Sequence, residues 1–154
     1  QHVLQLHTKG VYPIAPDGVP AKEADANRGF VKGLQKGLEL KEIFADSDEQ
    51  IQVVSGLDHP FALDKEQEEA GCLYDAASGR YLTFRTDAPC VVTYSANFID
   101  ESVILNGRPM IQHNGLALEA QALPDAIHSD LKHQVILKVG HIFTSTTVYF
   151  AGVK

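Results

Sequence analysis

The chain of 154 residues contains no tryptophan, one methionine and two cysteines. The cysteines, Cys72 and Cys90, lie apart in apolar, strand-like contexts and form no CxxC unit. That excludes a disulfide-built scaffold and a zinc ribbon, and reads as two reduced core thiols of a cytoplasmic protein. No apolar run approaches the roughly 18 residues needed to span a bilayer, so no membrane partner is expected. Basic residues are few and scattered, 13 against 20 acidic for a net charge of −7. With no basic cluster to track a phosphate backbone, nucleic acid is an unsuitable partner. The seven histidines form no HxH, HxxxH or HExxH pattern, so no metal site is expected. Phosphate loops, GxSxG elbows and dinucleotide fingerprints are absent, and a serine nucleophile is disfavoured.

What remains is a chain with 44% hydrophobic residues, enough for a packed core, and the length of one domain. No repeat, low-complexity tract or dividing linker occurs. Most of it reads as β-structure. Residues 2–7 are strand-like, and Pro16–Asp17–Gly18 marks a turn. Phe30, Leu34 and Leu38 recur at a spacing of four and predict one amphipathic helix over 28–40, weakened by Gly33 and Gly37. Gln50–Val54 is rich in β-branched residues and predicts a strand. Gly71–Tyr74 and Arg80–Arg85 predict a hairpin around Asp75–Gly79. Cys90–Tyr94, Gly115–Ala120, Gln134–Lys138 and the alternating Ile142–Phe150 complete the predicted strands. Short strands in succession with almost no helix predict an all-β fold, an antiparallel sandwich or barrel. The opening Gln1–His2–Val3–Leu4–Gln5–Leu6 reads as the interior of a strand. The expectation is either a single domain over 1–154 or the C-terminal part of one larger β-sandwich domain.

Two carboxylates stand out. Glu119 ends an apolar run that a turn, Leu123–Pro124–Asp125, follows closely, and a carboxylate there needs a partner or a task. As a general base it would be partly desolvated; otherwise it is a solvent-facing strand end or an arginine's partner. Asp58, within Gly56–Leu57–Asp58–His59–Pro60–Phe61, could accept hydrogen bonds from sugar hydroxyls or simply cap its own turn. Two carboxylates aimed into one polar cleft on a β scaffold are the equipment for acid–base chemistry on a sugar.

These residues carry a resemblance. Gly56–Phe61 is similar to the G-x-D-H-x-F segment of the galactose mutarotases (aldose 1-epimerases). His113–Asn114–Gly115–Leu116–Ala117–Leu118–Glu119–Ala120–Gln121–Ala122–Leu123–Pro124–Asp125–Ala126 resembles their H-x-G-x-x-L-E-x-Q-x-x-P-D-A signature, which is long and specific. Thr93–Tyr94–Ser95–Ala96–Asn97–Phe98 resembles a Y-T-G-N-F segment, and Asp17–Gly18–Val19–Pro20 a D-x-x-x-P-x-G loop in outline. The resemblance spans nearly the whole chain but only about the C-terminal half of a family member. It implies a large antiparallel β-sandwich that interconverts the α and β anomers of galactose, glucose and related aldoses, without metal or cofactor. A homodimer is compatible with it.

The resemblance makes Glu119 the catalytic base and Asp58, Asn97 and His113 the substrate-binding residues. Ser95–Ala96 stands in place of the usual Thr–Gly, and Ala117 where cysteine is common. The family's acid histidine belongs to upstream segments resembling T-N-H-x-Y-F and G-x-x-H-G, and neither occurs here. The alternatives are a hexose-6-phosphate 1-epimerase, which needs arginines converging on a phosphate, and a non-catalytic sugar-binding sandwich. The absence of tryptophan counts mildly against the second, since such modules stack sugars on exposed aromatics.

Overall fold

The computed structural model describes all residues from Gln1 to Lys154. In chain order the elements are β1 (His2–Leu6), β2 (Thr8–Val11), α1 (Gly29–Lys36), β3 (Leu38–Glu39), α2 (Leu40–Phe44), α3 (Glu49–Val54), β4 (Asp58–Leu63), β5 (Gly71–Asp75), β6 (Arg80–Thr86), β7 (Cys90–Tyr94), β8 (Ile104–Leu105), β9 (Arg108–Pro109), β10 (Ala117–Gln121) and β11 (Thr147–Val153). Two sheets stack, one ordered β11-β6-β5-β1-β3 and the other β10-β7-β4-β2, and β8 and β9 form a small ribbon. Every strand pair is antiparallel. The fold is therefore the expected antiparallel β-sandwich, with three short helices added.

The alternation of each strand decides its face. In β4 His59, Phe61 and Leu63 point inward, as do Val91 and Thr93 of β7. Phe61, Leu63 and Val91 join Leu4, Leu6 and Phe84 of the other sheet in one core cluster. Helix α1 closes one side by burying Phe30, Val31 and Leu34. Each such side chain contributes about 1.5–3 kcal/mol when fully removed from water. The helix is shorter than the predicted 28–40. Gly37, at φ 93°, reverses the chain, and Leu38 leaves the helix to pair with Leu4 of β1.

The predicted strand at Gln50–Val54 is a helix. Asp48 accepts a hydrogen bond from the Gln50 amide at 2.9 Å, capping α3, and Ser55 ends the helix in the left-handed conformation. Ile51 and Val54 then fall on one buried face. Capping and packing override the β preference of the valines. Arg28 binds the same Asp48 carboxylate at 2.7 Å, tying α3 to the start of α1.

The hairpin at Asp75–Gly79 forms as expected, its loop held by Asp75, which accepts from the Ala77 and Ser78 amides. Gln134–Lys138, predicted as a strand, instead follows a 3-10 turn over Asp130–Gln134 and pairs with no neighbour. Alternation alone builds no strand without an edge to bond. Ile142–Phe150 becomes strand only from Thr147, where the Asp87 carboxylate captures Ser145 Oγ and the Thr146 amide and steers the chain onto β6. β11 and β10 each have one unpaired edge. Tyr149 of β11 donates to the Leu118 carbonyl at 2.8 Å and bridges the sheets there. Beside them Val139, Ile142 and Phe143 are 103%, 88% and 69% exposed, next to a groove of about 860 Å³.

His59 is fully buried, and its Nδ1 accepts from the Asp58 amide at 3.1 Å. Burial, with the nearby Arg28 charge adding to it, pushes its pKa down to about 4.

Two outcomes are expected in solution. Asp48→Ala removes the cap and an arginine partner, and should lower unfolding stability by about 2–4 kcal/mol in urea titrations, with Asp48→Asn costing less because its side-chain oxygen still caps. The unfolded chain protonates His59 near the ordinary histidine value while the native chain resists until about pH 4. Stability contributed by neutral His59 is thus complete above that ordinary value and falls as the pH drops toward 4, by about 3 kcal/mol at the bottom of the window. His59→Gln should flatten that slope relative to the parent; equal slopes would refute the assignment.

Candidate active site

The site is set by one strand. β7 bonds β4 on one edge and β10 on the other, with Asp58 opposite Tyr94 and Tyr94 opposite Ala117. One step along, Pro60 faces Val92 and Val92 faces Glu119. Directly paired residues share a face, as do residues two apart on a strand, so Asp58 and Glu119 stand on the same outward face of the second sheet. Two strand spacings and two residues put their α-carbons about 12 Å apart. Their side chains flank the space between them.

Beside Asp58 lies a cleft of about 400 Å³, lined on the sheet by Asp58, Pro60 and Val92 and closed by Phe98, Pro124 and the loop carrying Asp17. That loop is fastened by buried Gln50, which accepts from the Ile14 amide at 2.6 Å and donates to its carbonyl at 3.2 Å. A helical residue predicted as strand is thus what holds one wall. Phe98, 68% exposed, stands near Tyr94, whose hydroxyl accepts from the Phe98 amide. Phe98 and Gln50 escape a sequence reading directed at charged groups, although Phe98 closes the Tyr94–Phe98 motif.

Asp58 is half-buried, and its carboxyl is raised above the ordinary carboxylate value, first by burial and then by the charge of Glu119. Glu119 itself is exposed, not partly desolvated as its apolar flanks suggested. β10 is an edge strand, and its outward face is open to solvent.

Asn97 and His113, expected as substrate-binding residues, both make hydrogen bonds within the protein. Asn97 is 4% exposed and donates from Nδ2 to the Leu57 carbonyl at 2.9 Å. The His113 ring stacks on Phe44, centroids 3.8 Å apart, and its Nε2 donates to the Ser55 carbonyl at 2.7 Å. Of the other histidines, His59 points into the core and His128 pairs with Asp125. None lines the cleft, and neither does any lysine or arginine. Arg28 is held by Asp25, Asp48 and Glu49, and Arg85 by Glu68. No three His, Cys, Asp or Glu side chains converge as metal ligands. Cys72 and Cys90 are unpaired, with burial pushing the Cys90 thiol up to about 12. No helix is long and apolar enough to cross a membrane.

A model of the aldose 1-epimerase family matches residues 1–150. Human galactose mutarotase is 30% identical over 149 residues, covering 95% of this chain and 42% of the relative. The Escherichia coli aldose 1-epimerase is 27% identical over 153 residues, covering 96% and 44%. Among solved structures, an aldose epimerase homologue from C. elegans superimposes with a TM-score of 0.79 at 20% identity, over 99% of this chain and 46% of its own. The galactose 1-epimerase of Lactobacillus acidophilus gives 0.69 at 21% identity, over 98% and 42%. The chain spans less than half the length of each of these relatives. With the family model matching nearly its full length and two carboxylates sharing one sheet face, this chain belongs to the aldose 1-epimerase family.

Proposed function

We propose that this chain carries the base half of an acid–base site that interconverts the α and β anomers of an aldohexose such as galactose or glucose. The observation that supports this reading is the outward sheet face that Asp58 shares with Glu119, with Asp58 also lining a cleft without cations. Exposed Glu119, on the open edge strand, takes the proton from the C1 hydroxyl. As C1–O becomes a carbonyl, the bond from C1 to the ring oxygen breaks, and an acid protonates that oxygen. Rotation about C1–C2 presents the other face of the carbonyl, and the ring closes with acid and base exchanging roles, so the protons balance over the cycle. Asp58 accepts hydrogen bonds from ring hydroxyls, and charge-assisted bonds of this kind hold a polar ligand firmly. Phe98 offers an apolar face to the sugar's C–H groups.

The acid comes from the portion of the family fold that this chain does not span, because no histidine here lines the cleft. The 6-phosphate alternative loses support from the same cleft, which lacks the cations a phosphate demands. Unpaired Cys72 and Cys90 favour work in the reducing cytoplasm.

Polarimetry of freshly dissolved α-D-galactose tests this reading. The 154-residue chain alone should leave the spontaneous rate unchanged. With the remaining portion of the fold supplied, Glu119→Gln should lower the rate at least about 100-fold, the low end for loss of an acid–base group. A loss below about threefold would remove Glu119 from that role. Asp58→Asn should weaken apparent galactose affinity as well as rate. Sugar binding that survives Glu119→Gln, with no catalysis in the parent, would instead identify a binding module.

A further inference from the structure

Three segments far apart in sequence meet beneath Asp58. Its preceding turn, Ser55–Gly56–Leu57, is bonded from three sides. The Leu57 amide donates to Ser95 Oγ at 2.9 Å. The Leu57 carbonyl accepts from the Ser95 amide at 3.0 Å and from Asn97 Nδ2 at 2.9 Å. The Ser95 hydroxyl donates to Asn97 Oδ1 at 2.5 Å, and the Ser55 carbonyl accepts from His113 Nε2 at 2.7 Å. The His113 amide returns to the Ala96 carbonyl at 3.2 Å. Ser95, Asn97 and Leu57 are 1%, 4% and 0% exposed, so the bonds among these three form out of water, where losing one is costly.

The backbone pays a conformational cost to make this knot. Ser55, Ala96 and His113 all sit at positive φ, 56°, 54° and 64°, where a side chain costs about 1–2 kcal/mol per residue. Gly56, at φ 148°, leaves no room for a side chain, since a β-carbon there would meet Asn97 Oδ1 at 2.5 Å and Ser95 Oγ at 2.6 Å. Strain persists where surrounding structure over-determines it, most often at functional sites. The knot holds one end of each element that carries a carboxylate. Leu57 leads directly into β4 and Asp58, and His113 leads through Gly115 into β10 and Glu119.

We propose that Ser95, Asn97 and His113 are positioning residues whose hydrogen-bonded knot sets Asp58 relative to Glu119, and that none of the three works by touching substrate. This inference deepens the proposed sugar site and rests on that reading for its purpose, although the positioning itself is a property of this chain. Ser95 uses its hydroxyl and nothing else, so threonine can replace it and valine, of the same shape, leaves the Leu57 amide without its acceptor. Asn97 has both polar atoms bonded inside the protein and is only 4% exposed.

The test follows the Asp58 carboxyl carbon by NMR across a pH titration of the 154-residue chain, with thermal unfolding alongside. Ser95→Val, still folded, should move the Asp58 titration down toward the ordinary carboxylate range, because a loosened turn exposes the group and separates it from Glu119. Ser95→Thr should titrate as the parent does. Asn97→Ser, a smaller loss, should shift Asp58 in the same direction and serves if Ser95→Val does not fold. A parental Asp58 titration in folded Ser95→Val or in Asn97→Ser would overturn the proposal, and so would a Ser95→Thr that behaves like Ser95→Val. The sugar reading fails separately. If Asp58→Asn leaves galactose affinity untouched while Ser95→Val still moves the Asp58 titration, the knot positions Asp58 and the site serves another ligand.

Discussion

Strand β7 is hydrogen-bonded along both edges, and the rest of the molecule is arranged around that double pairing. Its inward side chains, Val91 and Thr93, belong to the interior, while Val92 and Tyr94 form the floor between Asp58 and Glu119. Because side chains alternate along a strand, a slip of one residue on either edge would turn one carboxylate into the core and abolish the shared face. The register is protected by what lies on the other side, where Phe61, Leu63 and Val91 are committed to the hydrophobic cluster. Core packing and site geometry are thus two consequences of one alignment.

The same alignment accounts for the difference between the two acids. Asp58 begins a strand inside its sheet and is walled by the loop that Gln50 fastens, so it is half-buried and its carboxyl is raised. Glu119 lies on an edge strand with solvent beside it. Two chemically similar groups on one face thus differ in exposure, through their distance to the sheet's edge. The open edges of β10 and β11 and the exposed apolar side chains next to them belong to that same side of the sandwich. Unpaired strand edges and apolar patches of this kind are surfaces that natural sandwiches cover.

The neighbourhood of the site is held by hydrogen bonds that come from outside the strands. Ser95, Asn97 and His113 secure the turn before Asp58, and Gln50 secures the facing loop. Most of these groups are buried and fully engaged. They illustrate a general difficulty in reading polar motif residues, since a side chain beside a catalytic group is as readily a brace for it as a contact to the ligand.

By itself the sequence determined the strands β7 and β10, the hairpin at Asp75–Gly79 and the all-β class, and singled out Asp58 and Glu119 as candidates, because strand propensity, turn chemistry and a long motif are all local properties. It also marked the segments containing Asn97 and His113, without revealing that their side chains turn toward Leu57 and Ser55. Only the tertiary structure decided that Gln50–Val54 is a helix, since its cap comes from Asp48 and its register from packing against the core. It likewise decided that Gln134–Lys138 has no partner strand, while Thr147–Val153 finds one on β6. And it alone gave the register by which residues 58 and 119 share a face, because that depends on two separate pairings with β7, and long-range hydrogen-bond register leaves no trace in the order of residues along either strand.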